Sequence, residues 1–422
     1  MGKVNIDSLE PGMVLAEDLY HADGRLLLTK GLTLNPNHLR VLKTWGVDGA
    51  EIEGVADGSR PPTLEEIDPA VLQEAEELTK KQFSHANVDH PFLANLFRIC
   101  NQRRALQMAV QKPSGGRDAG AVGLATAPKA VARSTPPEKI RQKDLAYLLD
   151  GNVGLVSLPP IFTEINRVIS DPHSSAAQVA DVISKDPNLT TRLLKIVNSA
   201  FYGCPSKIDT ISRAVTILGS KELSTLALGT SVMKIFNNIP ADLVDMKSFW
   251  EHSVACGIAA RMIANYKHIA NTERLFVAGL LHDIGRIVIY KHLPEHGREM
   301  FLHVQRTNSL LRVAELEVIG FDHTQIGARL MQNWKLPVIL EQALGYHHQP
   351  TLSQNPLEAG IVHIADILIN ALMIGTSGER FVPPVIPEVW TELKLPAEIF
   401  TQSVQLVDRQ VEEVIRNFTE GG

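Results

Sequence analysis

From about Ile140 to the C-terminus the apolar residues keep helical spacing almost throughout. They are interrupted at Pro159-Pro160, Pro187, Pro205, Gly219, Pro240, Pro294, Pro337 and Pro350. Breakers at such intervals punctuate helices. No βαβ alternation and no convincing repeat accompanies them, so this part of the chain has to bury its stripes by packing helix on helix. A hydrophobic content of 44% with only 5% aromatics agrees with an aliphatic, helix-rich interior.

The 422 residues exceed what one core usually holds, so two or three domains are expected. Residues 1–55 read as a small β-rich module. His21-Ala22-Asp23-Gly24 suits a hairpin turn, Pro36 opens a short helix through Leu39 and Leu42 to Trp45, and Val47 to Ile52 closes as a strand. Residues 63–111 read as a helical pair. Its first helix starts at Asp68-Pro69, with Glu74, Glu76 and Glu77 early and Lys80 and Lys81 late, and Asp89 and Pro91 frame the second. Residues 112–138 are rich in Gly, Ala, Pro, Ser and Thr and lack aromatics, which predicts a flexible linker. Residues 139–422 form the helical domain, with an N-terminal part at 139–240 and a second part at 241–422. Its last helix, Pro396 to Phe418, carries Phe400, Val404, Val407, Val411, Val414 and Phe418 as one apolar seam. Docking into the core is favoured over a homodimer seam, which stays open.

Forty-one Lys and Arg against forty-seven Asp and Glu give a net charge of -6, which argues against a chain built to grip nucleic acid or an anionic membrane. The stretch Thr210 to Lys234 has few cations, so DNA is not an expected partner. Cys100, Cys204 and Cys256 are scattered and read as reduced thiols. Neither a signal peptide nor a bilayer-spanning run is visible, and a cytoplasmic location is expected.

Ten of the fifteen histidines fall between His252 and His363. That window also supplies Leu281-His282-Asp283-Ile284-Gly285-Arg286, Asp322-His323, Tyr346-His347-His348 and Ile364-Ala365-Asp366. Imidazole with carboxylate suits borderline divalent metals. A buried His-Asp pair can also simply pin two helices. As a set, His252, His282, Asp283, His323, His347 and Asp366 are expected to converge in space.

At these residues the chain resembles the HD superfamily, whose pattern of a His, a His-Asp pair and a later Asp falls on His252, His282-Asp283 and Asp366. The closer resemblance is to the HDOD family, HD-related output domains of bacterial signal transduction. It rests on Leu158-Pro159-Pro160, Asp186-Pro187-Asn188-Leu189-Thr190, Asn198-Ser199-Ala200-Phe201-Tyr202, Ala214-Val215-Thr216-Ile217-Leu218-Gly219, Gly320-Phe321-Asp322-His323 and Trp334-Lys335-Leu336-Pro337. The N-terminal Leu9-Glu10-Pro11-Gly12-Met13 is similar to a segment that precedes some HD-GYP domains. HD-GYP domains are cyclic di-GMP phosphodiesterases. Likeness to them implies a divalent metal such as iron or manganese on His252, His282, Asp283, His323, His347, His348 and Asp366. Three departures stand against catalysis. Arg286 replaces a lysine, Gln349 replaces a glutamate, and Gln349 to Pro356 replaces the Gly-Tyr-Pro loop.

The leading expectation is therefore a non-catalytic signalling regulator that binds protein partners, with a metal or nucleotide second messenger biasing its shape. The rival is a metal-dependent phosphohydrolase acting on a cyclic dinucleotide or another phosphate ester. In it, Asp283 and Arg286 would serve catalysis, Arg286 by steadying phosphate.

Overall fold

The computed structural model describes residues 2–6, 9–20, 26–44, 47, 49–53, 63–111, 160–171, 173–199, 202, 206–233, 236, 239–397, 399–400, 404, 407–408, 410–411 and 413–414. The expected linker at 112–138 and the hairpin turn at 21–24 lie outside them. The chain divides into a smaller unit (1–78, 101–115, 402–406) and a larger one (79–100, 116–401, 407–422).

In the smaller unit, β1 (Gly2–Asn5) pairs antiparallel with β4 (Gly49–Ile52), while β2 (Leu19–Tyr20) pairs with β3 (Leu26–Leu28). Between them α1 (Pro36–Thr44) begins where Asn35 accepts the His38 amide proton, a short polar side chain serving as a cap. Ile6, Leu15, Leu34, Leu42 and Ile52 are its buried core. The expected short helix and closing strand are present, and the sequence reading missed β1. A second cluster joins Ile67, Val71 and Ala75 to Ala105. Val71 and Ala75 lie on α2 (Pro69–Gln82) and Ala105 on α3 (Pro91–Gln111), with Ile67 just ahead of α2.

Residues 79–100 pack within the larger unit. The Gln82 amide donates to the Asn370 and Ala371 carbonyls, and Phe92 stacks on Trp390 with ring centroids 4.8 Å apart. The rest of this unit is all-helical among its described residues: α4 (Pro160–Ser170), α5 (Ala176–Ser184), α6 (Pro187–Val197), α7 (Ile211–Leu218) and α8 (Ser220–Val232), then α9 (Met246–Tyr266), α10 (Glu273–Leu281), α11 (Ile284–His292), α12 (Pro294–Thr307), α13 (Leu311–Val318), α14 (His323–Asn333), α15 (Val338–Tyr346), α16 (Pro356–Leu372) and α17 (Pro387–Leu393). The starts follow from local chemistry. Asp186 caps α6 ahead of Pro187, Ser175 and Gln178 close a capping box on α5, and Asp245 caps α9. Helix α16 is buried on nearly every side and packs against α9, α10, α15 and α17. Such a helix is apolar all round because no face meets water. In the C-terminal seam Phe400, Val404, Val407, Val411 and Val414 are all buried.

Candidate metal centre

The candidate ligands arrive from four places around α16. His252 lies on α9, and His282 and Asp283 fill the joint between α10 and α11. His323 opens α14, His347 and His348 follow α15, and Asp366 is on α16 itself. Small residues make the approach close. A Cβ on Gly279 would lie 2.6 Å from the Cys256 carbonyl oxygen, and one on Gly257 would lie 2.6 Å from that of Phe276. Glycine therefore sets the α9–α10 crossing that brings His252 to His282. Asp322 accepts the Thr324 and Gln325 amide protons as the α14 cap, which fixes His323 at the helix start.

The expected set converges. Asp366 Oδ1 lies 3.4 Å from both His252 Nε2 and His282 Nε2. Asp283 stands between two groups, with Oδ2 3.3 Å from His282 Nε2 and Oδ1 3.1 Å from His323 Nε2. His323 Nε2 and His347 Nε2 are 3.3 Å apart, and the His348 ring packs on both. His252, His282, Asp283, His323, His347 and Asp366 are each at most 3% exposed.

Hydrogen bonds on the outer ring nitrogens assign the tautomers. His282 Nδ1 donates to the Gly279 carbonyl at 2.7 Å, His347 Nδ1 to that of Leu344 at 2.8 Å, and His323 Nδ1 to Glu315 Oε2 at 2.6 Å. With the proton on Nδ1, each neutral ring presents a bare Nε2 lone pair to the interior. Lone pairs then face carboxylates and one another, an arrangement that positive charge between them reconciles, from a bound cation or from protons on the rings. His282 Nε2 and Asp283 Oδ1 accordingly make no hydrogen bond despite their close neighbours, and His348 Nε2 is buried without a partner. The donor set fits a divalent metal.

Without a cation, protons take its place. Burial pushes the His282 imidazole down, but Asp283 and Asp366 outweigh it and raise it to about 10. His323 is likewise raised to about 9 against burial, chiefly by Glu315. Burial and the charges on those two rings push His347 down to about 3. Asp283 and Asp366 are held well below the usual carboxylate range despite burial, Asp283 by Arg286 and His282, Asp366 by the neighbouring His252 and His282 imidazoles.

Arg286 is buried at 2% exposure. Its Nη1 donates to Asp283 Oδ2 at 2.8 Å and to Ser377 Oγ at 2.6 Å, and its Nε donates to Glu315 Oε1 at 2.9 Å. Gln349 is exposed beside the Pro350–Leu352 turn. The sequence reading missed Cys256, Glu315 and Ser377. Cys256 was legible, because one helical turn after His252 it shares that face of α9. Glu315 and Ser377 carry no local signal.

Among the described residues three groups of metal-capable side chains result, each with its ligand atoms within 4.8 Å of one another: His252, Cys256, His282 and Asp366; His282, Asp283 and His347; His323, His347 and His348. Among the described residues no helix is long and apolar enough to cross a membrane.

Comparison with known proteins agrees with this architecture. Residues 155–350 match the HDOD domain. An uncharacterized protein of Treponema pallidum (strain Nichols) is 27% identical over 229 residues, 52% of this chain and 44% of that protein, so the match spans less than half of the relative. An HDOD domain protein of unknown function from Geobacter sulfurreducens superposes with a TM-score of 0.50 at 23% identity, covering 67% of this chain and 99% of its own. A candidate phosphohydrolase from Shewanella amazonensis SB2B gives 0.53 at 23%, covering 65% and 98%. A candidate signal transduction protein from Marinobacter aquaeolei VT8 gives 0.52 at 20%, covering 66% and 65%. At these identities the likeness is one of fold.

Proposed function

The chain carries an HDOD domain in residues 155–350, and we propose that it is a non-catalytic signal-transduction regulator whose buried His/Asp cluster holds a divalent cation. Protein partners are its targets, and a nucleotide second messenger is a candidate effector. The observation that carries the metal assignment is the facing of bare imidazole nitrogens and carboxylate oxygens inside a sealed cluster. Three carboxylates, Asp283, Asp366 and Glu315, meet one guanidinium there, and a dication balances the surplus. His252, His282 and Asp366 would hold it, with Asp283 beside them and His323, His347 and His348 as a second set. Bound there, it supplies charge neutralisation and a link among four helices.

Burial favours the regulatory reading over hydrolysis. A hydrolytic centre keeps an open coordination position for water and substrate, whereas these ligands are almost wholly covered. Arg286, the group expected to steady phosphate, is committed to Asp283, Glu315 and Ser377. The paired ligand sets on either side of Asp283 favour the rival, a two-metal phosphodiesterase.

Metal content of the purified full chain, measured alongside turnover of cyclic di-GMP and bis(p-nitrophenyl) phosphate under anaerobic conditions with manganese or iron, separates the two. Tightly held metal that is lost in His282→Ala, with no turnover, is the expected result. Turnover abolished by His282→Ala overturns the regulatory reading, and a protein that takes up no metal overturns the metal centre.

A further inference from the structure

We infer that Cys256 supplies the fourth ligand of the first metal site, closing a Cys-His-His-Asp shell with His252, His282 and Asp366 around a borderline-soft dication such as zinc or iron(II). The inference rests on the metal reading above and deepens it by naming the cation class and the coordination. A cysteine in a hydrophobic helix usually serves as a small apolar residue, so the case depends on position and spacing.

Cys256 follows His252 by one turn of α9, is fully buried, and places Sγ 3.6 Å from His252 Nε2. Asp366 Oδ1 is 3.4 Å from both imidazole nitrogens, and all four ligand atoms lie within 4.8 Å of one another. Zinc–nitrogen, zinc–oxygen and zinc–sulfur bonds of about 2.0–2.3 Å in a tetrahedron require ligand atoms roughly 3.3–3.8 Å apart. An octahedral oxygen shell at about 2.1 Å needs adjacent ligands only about 3.0 Å apart. The three measured spacings fall in the tetrahedral range.

The chemistry of the neighbours agrees. His282 Nε2 is completely buried, faces this group and has no hydrogen-bond partner. Asp283 Oδ2 also lies 3.3 Å from His282 Nε2 and 3.8 Å from His252 Nε2, but it already accepts a proton from Arg286 Nη1 at 2.8 Å, and its Oδ1 faces His323. Within the four-ligand shell, one thiolate and one carboxylate match the charge of a dication. Thiolate selects zinc, iron or cobalt over magnesium. Four protein ligands also leave no position for a water nucleophile, the pattern of a structural site.

Cobalt(II) is the probe. The full chain carrying Cys100→Ser and Cys204→Ser is loaded anaerobically with saturating cobalt and its absorption recorded, with and without Cys256→Ser. The expected result is a near-ultraviolet thiolate-to-cobalt charge-transfer band and intense tetrahedral visible bands, with the former lost in Cys256→Ser. Cobalt affinity at that site should fall more than about ten-fold, exceeding the smallest loss typical of an outer-shell partner. Should Cys256→Ser fail to fold, X-ray absorption of the zinc-loaded parent decides, and one sulfur scatterer at about 2.3 Å is expected. Cobalt bound without a charge-transfer band, or zinc bound without sulfur, overturns the Cys256 assignment alone. No uptake of either metal overturns the metal reading itself.

Discussion

His363 lies one turn before Asp366 on α16, buried like its neighbour, and its ring Nε2 accepts the Ile386 amide proton at 3.2 Å. Burial pushes this imidazole down to about 4, with Asp366 opposing only partly. A folded value below the unfolded value of about 6.5 means that the unfolded chain binds more protons between the two. His363 thus contributes stability that is fully present above pH 6.5 and lost as the pH falls toward 4, up to about 3 kcal/mol. Urea unfolding of the wild type and of His363→Gln across that range should show the wild type losing stability relative to the variant. Parallel curves would contradict it. The same residue shows the limit of counting histidines, because composition alone does not separate a ring that accepts a backbone proton from those that face Asp283.

Among elements, the α11–α14 contact is the least forgiving. A Cβ on Gly285 would stand 2.0 Å from the His323 carbonyl oxygen, so Gly285→Ala forces the start of α14 away from the His282-Asp283 joint. Overpacking of this kind costs about 1–3 kcal/mol. Gly327, in the middle of α14, meets nothing closer than Leu344 Cδ2 at 3.7 Å, and alanine there should be neutral or stabilising by up to about 1 kcal/mol. Thermal unfolding of the two variants should move in these different directions. A Gly285→Ala protein as stable as the parent would show that α11 and α14 are not in this contact. Several element boundaries were legible from caps and breakers. Asp68-Pro69 and Asp186-Pro187 each precede a helix, and Pro36 opens α1. Strand β1 was not, because a four-residue strand is defined by its partner β4 and not by its own pattern.

At the scale of the whole molecule, a cation held by α9, α10 and α16 binds only the folded larger unit, and folded-state binding raises stability by mass action, about 2.7 kcal/mol at a hundred-fold excess over Kd. No candidate ligand belongs to residues 1–78. Hydrogen exchange on the full chain should therefore show chelation lowering protection in α9–α11 and α14–α16 while residues 2–52 keep theirs. An equal loss across both would assign the cation effect elsewhere.

The sequence by itself determined the helical class, the HDOD motifs and the identity of the His and Asp residues that converge, because periodicity, caps and short motifs are local properties. Tertiary structure alone decided the rest. Arg286 turns inward because Glu315 and Ser377, far away along the chain, complete its shell. Asp283 is shared between two groups of imidazoles, and Cys256, on the same helix face as His252, comes within ligand distance of His282 and Asp366 because glycines let α9 and α10 approach. Contacts between distant segments depend on how helices cross, and no local pattern records a crossing.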